Sequence, residues 1–243
     1  PHGRAFMIDC GGTRDNAFDV GGRVDVPYLL HYGVHELDYI FLTHVHEDHA
    51  AGAGGILKKL PVKMIMTGSE GRAAYMKSLA LSAAEAARTE FVAAQAGQQA
   101  ELDGVTVEVL YAPTAPPAGS GRQTGNEVSN VIRVRYGRAS FLFTGDLVKE
   151  QELALLQAAN PQSTVLKVGH HGSRTSTSAE FVRAVAPEWA VISVGAENRF
   201  GHPNPEPLAE LARRNVKLYR TDENGAVVFY TDGETMRVEP YVR

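Results

Sequence analysis

Cysteine is nearly missing from this 243-residue sequence: Cys10 is the only one, so no disulfide can form within the chain. A lone cysteine leaves the compartment open, and Cys10 reads as a small buried residue. Long apolar runs are missing too: no stretch approaches the roughly 18 apolar residues needed to span a bilayer, and no signal peptide is visible. A soluble piece is expected. It starts at Pro1-His2-Gly3-Arg4, which reads as the tip of a hairpin lacking its first strand, so a segment excised from something longer is expected. Nor is there a large excess of charge. A formal net charge of −4 argues against nucleic-acid binding driven by overall charge, while leaving room for a local basic patch. What is present, 44% apolar residues and 24 glycines, suffices for a sizeable core, read here as one domain over 1–243.

Short β-rich runs alternate with helical patterns. Strands are predicted at Ala5 to Asp9, Asp38 to Thr43, Val62 to Met66, Val105 to Tyr111, Val128 to Tyr136, Ser140 to Thr144, Thr164 to Val168, Trp189 to Val194 and Val216 to Tyr219. A hairpin follows, Ala226 to Thr231 with Glu234 to Glu239. Helices are predicted at Asp25 to Tyr32, Ala51 to Leu60, Glu70 to Arg88, Lys149 to Ala159, Ser178 to Ala186 and Pro205 to Arg214. Strand pairs followed by strand and helix units suit an α/β fold of four layers, αββα, with helices outside two sheets. The one long irregular segment, Ala112 to Glu127, is rich in Pro and Gly and carries Arg122; it reads as a functional loop or a surface excursion.

The chemistry concentrates at strand ends. LTHVHEDHAAG, Leu42 to Gly52, follows a buried strand and precedes a helix, and it holds His44, His46, Glu47, Asp48 and His49. Such an edge gives convergent side chains a rigid base. His44 and His46 alternate, so their imidazoles project together, while Asp48 and His49 start the helix and point to a neighbouring metal position. Two later strands repeat the arrangement: FLFT leads to Gly145-Asp146, and VLKV leads to Gly169-His170-His171-Gly172-Ser173. Alone, Asp146 would read as a turn or cap residue, but its company makes it a ligand. Of His170 and His171, one reads as a ligand and the other as an outer or substrate-facing group. His2, His31 and His35 read as ordinary surface histidines, and Arg133 and Arg135 as a charged, solvent-facing strand face.

These motifs resemble the metallo-β-lactamase superfamily over essentially the whole chain. The resemblance implies a two-metal hydrolase site in which Asp9 orients the ligands, His44 and His46 hold one metal, and Asp48 and His49 hold the other. It makes Asp146 the bridging carboxylate and His170, ahead of His171, the last histidine. One departure is informative: many members place a further histidine between the first cluster and the bridging acid, and residues 50 to 145 contain none. That counts against lactam and glyoxalase-like chemistry and leaves an open position suited to water or a phosphate oxygen.

A finer resemblance is to the soluble hydrolase-like domain of the ComEC family of competence DNA-uptake channels. Asp25 to Gly33, NEVSNVIRV with Asn126 and Ser129, FTGD, KVGHHGS, NRFGHP with Arg199 and His202, and YRTDENG carry it. It implies a domain appended to a membrane-embedded remainder of the same polypeptide on the extracytoplasmic face, and a nuclease degrading the DNA strand that is not imported. Two divalent ions sharing Asp146 would acidify a water and hold a phosphodiester in line. The ligands lack thiolate, so Zn²⁺ and Mn²⁺ both fit, with Mn²⁺ favoured for activity by the resemblance. Asp48, Asp146, His171 and His202 are the catalytic candidates, and Asn126, Ser129, Arg122, Arg174 and Arg199 the substrate contacts. Two alternatives stay open: a non-catalytic DNA-guiding module, and a phosphodiesterase for a small substrate such as a choline phosphate.

Overall fold

Parallel strands organise the first of two units in the computed structural model, which describes residues 3–114 and 125–242. This unit comprises Pro1–Gln95 with Ala112–Asn130. In chain order it runs β1 (Phe6–Ile8), a π-helical turn at Gly21–Asp25 continuing into α1 (Val26–His31), and β2 (Leu37–Phe41). Then come α2 (Glu47–Ala50), α3 (Gly52–Leu57), β3 (Val62–Thr67), α4 (Arg72–Ser78), α5 (Ala83–Ala86) and β4 (Glu90–Ala93). The strands lie in the order β1-β2-β3-β4, and each neighbouring pair is parallel. A parallel neighbour requires a crossover, which the intervening helices supply. It also places all carboxyl ends on one edge. Asp9, Thr43 and the Gly68 to Glu70 turn therefore leave the sheet together. The near-continuous apolar run of β2 suits a strand covered on both faces, and Leu37, Ile40 and Leu42 are wholly buried with Ile56 and Ile65.

The second unit, Ala96–Tyr111 with Val131–Arg243, joins two kinds of sheet. Strands β5 (Gln99–Leu102), β6 (Val105–Tyr111), β7 (Val131–Tyr136) and β8 (Ala139–Phe143) form antiparallel neighbours. After α6 (Lys149–Ala158) the chain enters β9 (Val165–Lys167), parallel to β8. Helices α7 (Ala179–Val185) and α8 (Pro205–Arg213) then link β9, β10 (Trp189–Ile192) and β11 (Lys217–Arg220), again in parallel. The seven strands lie in the order β11-β10-β9-β8-β7-β6-β5. A short helix α9 (Thr221–Asn224) precedes the separate hairpin β12 (Val227–Thr231) and β13 (Met236–Pro240). Because β8, β9 and β10 point the same way, Asp146, the Gly169 to Ser173 turn and Ser193 share one edge. The core beneath is Leu142, Leu155, Leu166, Val182, Ala190, Ile192 and Leu211, none exposed.

Three expectations need correction. The alanine-rich stretch Glu70 to Arg88 is not one helix: Ala80 turns left-handed at φ 49°, and Ser82 with Glu85 forms a reciprocal cap that starts α5 afresh. Strands β4 and β5 were not predicted at all: EFVA is too short to show a period, QAEL has no β-branched or aromatic residue, and both pair with longer neighbours. Arg133 does not face solvent on its strand; its guanidinium bonds Glu108 at 2.8 Å and the Asn160 carbonyl at 2.9 Å.

Candidate metal centre

Donor side chains gather at the carboxyl edge of each sheet. In the first unit, Asp9 follows β1 in a left-handed conformation, φ 56°. Its carboxylate accepts from the Thr43 amide at 2.8 Å, from the Thr43 hydroxyl at 2.9 Å and from Nδ1 of His49 at 2.7 Å. With its proton committed to Asp9, the Thr43 hydroxyl accepts from Nδ1 of His44 at 3.1 Å. Both rings are thus held in the tautomer that presents a bare Nε2. His44 is wholly buried and its ring lies 4.6 Å from that of His46 and 4.3 Å from that of His49. One donor atom each of His44 and His46 falls within 4.8 Å, as does one each of Asp48 and His49. Asp48 occupies the first turn of α2 and is exposed.

Close backbone approach fixes this loop. A Cβ on Gly12 would lie 2.0 Å from the Glu47 carbonyl, so the Gly11-Gly12 turn seats against the start of α2 only without a side chain. A Cβ on Gly125 would lie 2.6 Å from Nε2 of His46. The neighbouring Asn126–Val128 turn leads into Ser129, which is wholly buried, and Asn130, whose amide donates to the Thr43 carbonyl at 2.8 Å. Asn126 and Ser129 therefore sit in a segment clamped to the strand end that bears His44. Arg122 lies outside the described residues.

The second unit offers Asp146, His170, His171 and His202. Asp146 is 3% exposed and follows Gly145, which turns left-handed at φ 51°. Its carboxylate is 3.6 Å from Nε2 of His171 and 3.8 Å from Nε2 of His170. His171 donates from Nδ1 to the Ser193 carbonyl at 2.7 Å, whereas Nδ1 of His170 faces the Thr175 hydroxyl at 3.1 Å. Both histidines are left-handed, at φ 47° and 53°, which splays consecutive rings to a centroid distance of 6.4 Å. The ring of His202 comes within 5.7 Å of His170, and its loop is closed by Asn198, which bonds both the amide and the carbonyl of His202. Arg174 and Arg199 are exposed; the Arg174 amide donates to Asn204, and the Arg199 guanidinium lies 4.8 Å from the Phe200 ring.

The electrostatics match metal chemistry. Burial would raise the Asp9 carboxyl, but the charge and hydrogen bond of His49, the Thr43 amide and His44 hold it below the usual carboxylate range. Burial lowers His202, reinforced by His171 and opposed by Asp146. Cys10 is no ligand: burial, with Asp25 and Asp9, pushes its thiol far up. The donors are imidazoles, with Nδ1 engaged in His44, His49, His170 and His171, plus carboxylates, a set that fits divalent ions. Sequence reasoning missed Thr43, Glu70 and Tyr75; Thr43 stood inside the quoted motif, but the other two acquire their contacts only through β3.

A family model of the metallo-β-lactamase superfamily matches residues 1–196. The chain belongs to the metallo-β-lactamase superfamily. A relative from Bacillus subtilis, ComE operon protein 3, is 34% identical over 94% of this chain and 30% of its own length. Competence protein ComA of Neisseria gonorrhoeae is 35% identical over 84% of this chain and 27% of its own length. The chain thus spans about a third or less of these relatives. Among solved structures, the metallo-β-lactamase fold protein YhfI from Bacillus subtilis superposes with a TM-score of 0.55, covering 90% of this chain and 85% of that one at 13% identity. The expected α/β metallo-β-lactamase fold is therefore borne out, as is the resemblance to competence proteins. Among the described residues no helix is long and apolar enough to cross a membrane.

Proposed function

We propose that this superfamily member is a binuclear phosphodiester hydrolase, and specifically a nuclease that degrades the non-imported strand during DNA uptake. The observation carrying the phosphodiester assignment is the replacement of a histidine-bearing segment: residues 50 to 145 hold no histidine, and the Asn126–Val128 turn is clamped to the strand end of His44. A metal held there with one histidine fewer would leave room for an oxygen ligand, which suits an oxygen-rich substrate. The relatives named for competence support the setting. In this reading the partner is DNA, single-stranded when cut, and the domain stands on the extracytoplasmic face, joined to a membrane-embedded remainder.

The metal ligands in this reading are His44, His46, Asp48, His49, Asp146 and His171. His171 takes the place first expected of His170, because its Nδ1 donates to a main-chain carbonyl, the usual way of orienting a ligand ring. When bound, two divalent ions, Mn²⁺ favoured and Zn²⁺ also suited, supply Lewis acidity toward the phosphate and the attacking water. Asp48 would accept a hydrogen bond from the attacking water. His170 and His202, whose rings are 5.7 Å apart, are the groups placed to contact the leaving oxygen. Arg174 and Arg199, both exposed, track the phosphates, and Asn126 is a further substrate contact.

Cleavage of linear DNA by the purified chain with Mn²⁺, reduced at least about a thousandfold in Asp146→Ala while circular dichroism stays unchanged, is the expected result. No cleavage with any divalent ion would sink the nuclease. Salt-independent hydrolysis of a small choline phosphate ester in its place would favour the small-substrate enzyme.

A further inference from the structure

The His44 to His49 loop is held from outside by a group that supplies no ligand. Val45, between the two histidines, packs its side chain against the first unit's core, while the rings of His44 and His46 on either side of it lie 4.6 Å apart. What keeps Val45 in that pose is Glu70, in the turn after β3: its Oε1 accepts from the Val45 amide at 2.9 Å. Its Oε2 accepts from the Tyr75 hydroxyl at 3.0 Å, and the Tyr75 oxygen in turn accepts from the Gly68 amide at 2.7 Å. Tyr75 is wholly buried, and a Cβ on Gly68 would come within 2.2 Å of Oε2. The carboxylate is thus wedged in a closed chain of hydrogen bonds with both oxygens in use.

We propose that Glu70 is a positioning residue for the metal centre, setting the spacing of His44 and His46 through the Val45 amide. The inference rests on the metal reading above but not on the substrate. Burial raises the Glu70 carboxyl, with the backbone amides of Glu70 and Val45, Tyr75 and His46 acting against it. A backbone acceptor at this point is worth having because a loop between two ligands has no sheet partner to fix it. Freed, Val45 would let the two rings, now 4.6 Å apart, drift from their common position.

Zn²⁺ and Mn²⁺ affinities of the purified chain, measured by calorimetry against a competing chelator, test this. Glu70→Leu keeps the volume but removes the acceptor and is expected to lose roughly 10–100-fold in affinity. Glu70→Gln retains an oxygen for Val45 and is expected to stay within about threefold of wild type, a rescue that mere packing would not produce. A folded leucine variant with wild-type affinity overturns the proposal, and so does a glutamine variant that falls as far as leucine. Should the leucine variant fail to fold, hydrogen exchange of the wild-type Val45 amide decides: strong protection supports the proposal, exchange at the rate of an open loop overturns it. A wild type that binds metal but cuts no DNA sinks the nuclease and leaves Glu70 its role; a wild type that binds no divalent ion overturns the role itself.

Discussion

At the residue scale, the side chains that matter most are those whose surroundings fix a protonation state. Asp9 is kept ionised by His49 and Thr43, so it holds the His49 proton on Nδ1. Asp25 shows the opposite case. It closes the π-helical turn with Oδ2 out of reach of water and without a hydrogen-bond partner among the described residues, and burial with the charge of Asp19 raises it to about 7. The folded chain therefore holds a proton that the unfolded chain releases near 3.8. Stability from this group is complete below that value and is lost as pH rises through about 7. Asp25→Asn, which mimics the neutral form, should flatten this dependence and be more stable than wild type at pH 8 by about 1 kcal/mol, a figure reduced for a partly open site. Urea denaturation at pH 5 and pH 8 checks it, and parallel curves for the two proteins would rule it out.

At the element scale, helices are tied to one another by buried acceptors at their ends. Glu152 in α6 is 2% exposed, and its carboxylate accepts from the Ser178 amide at 2.9 Å and from the Thr177 amide, where α7 begins. Burial raises its pKa and the two amides oppose the rise. Glu152→Ala would leave two donors unsatisfied in the interior and should destabilise the chain by about 2–3 kcal/mol, read as a lower urea midpoint. Metal affinity should hardly change, since α6 carries no ligand. Elements also mark the limit of pattern reading. β2, β8 and β9 were legible because an apolar run followed by a ligand-type residue is a local signal. β4 was not, since EFVA becomes a strand only by pairing with Met64 to Thr67.

At the scale of the whole molecule, metal binding and folding are one equilibrium. An ion that binds the folded chain at about 100 times its Kd adds about 2.7 kcal/mol, which for a chain of this size raises Tm by roughly 5–10 °C. Adding Mn²⁺ or Zn²⁺ should therefore raise the melting temperature, and a chelator should reverse the gain. A melting curve indifferent to both would count against the metal centre. A net charge of −4 gives the chain as a whole no attraction for a polyanion, so the proposed DNA contact has to rest on local positive groups.

The sequence by itself determined the superfamily, the strand-end placement of His44, His46, Asp48, His49 and Asp146, and the missing histidine, because each is a matter of residue type and short spacing. Only tertiary structure decided which nitrogen the rings of His49 and His171 present: Asp9 and the Ser193 carbonyl reach them from the ends of other strands. The same holds for Glu70, 25 residues from the Val45 amide it holds. A parallel sheet brings distant strand ends to one edge, and no local pattern in the chain records that meeting.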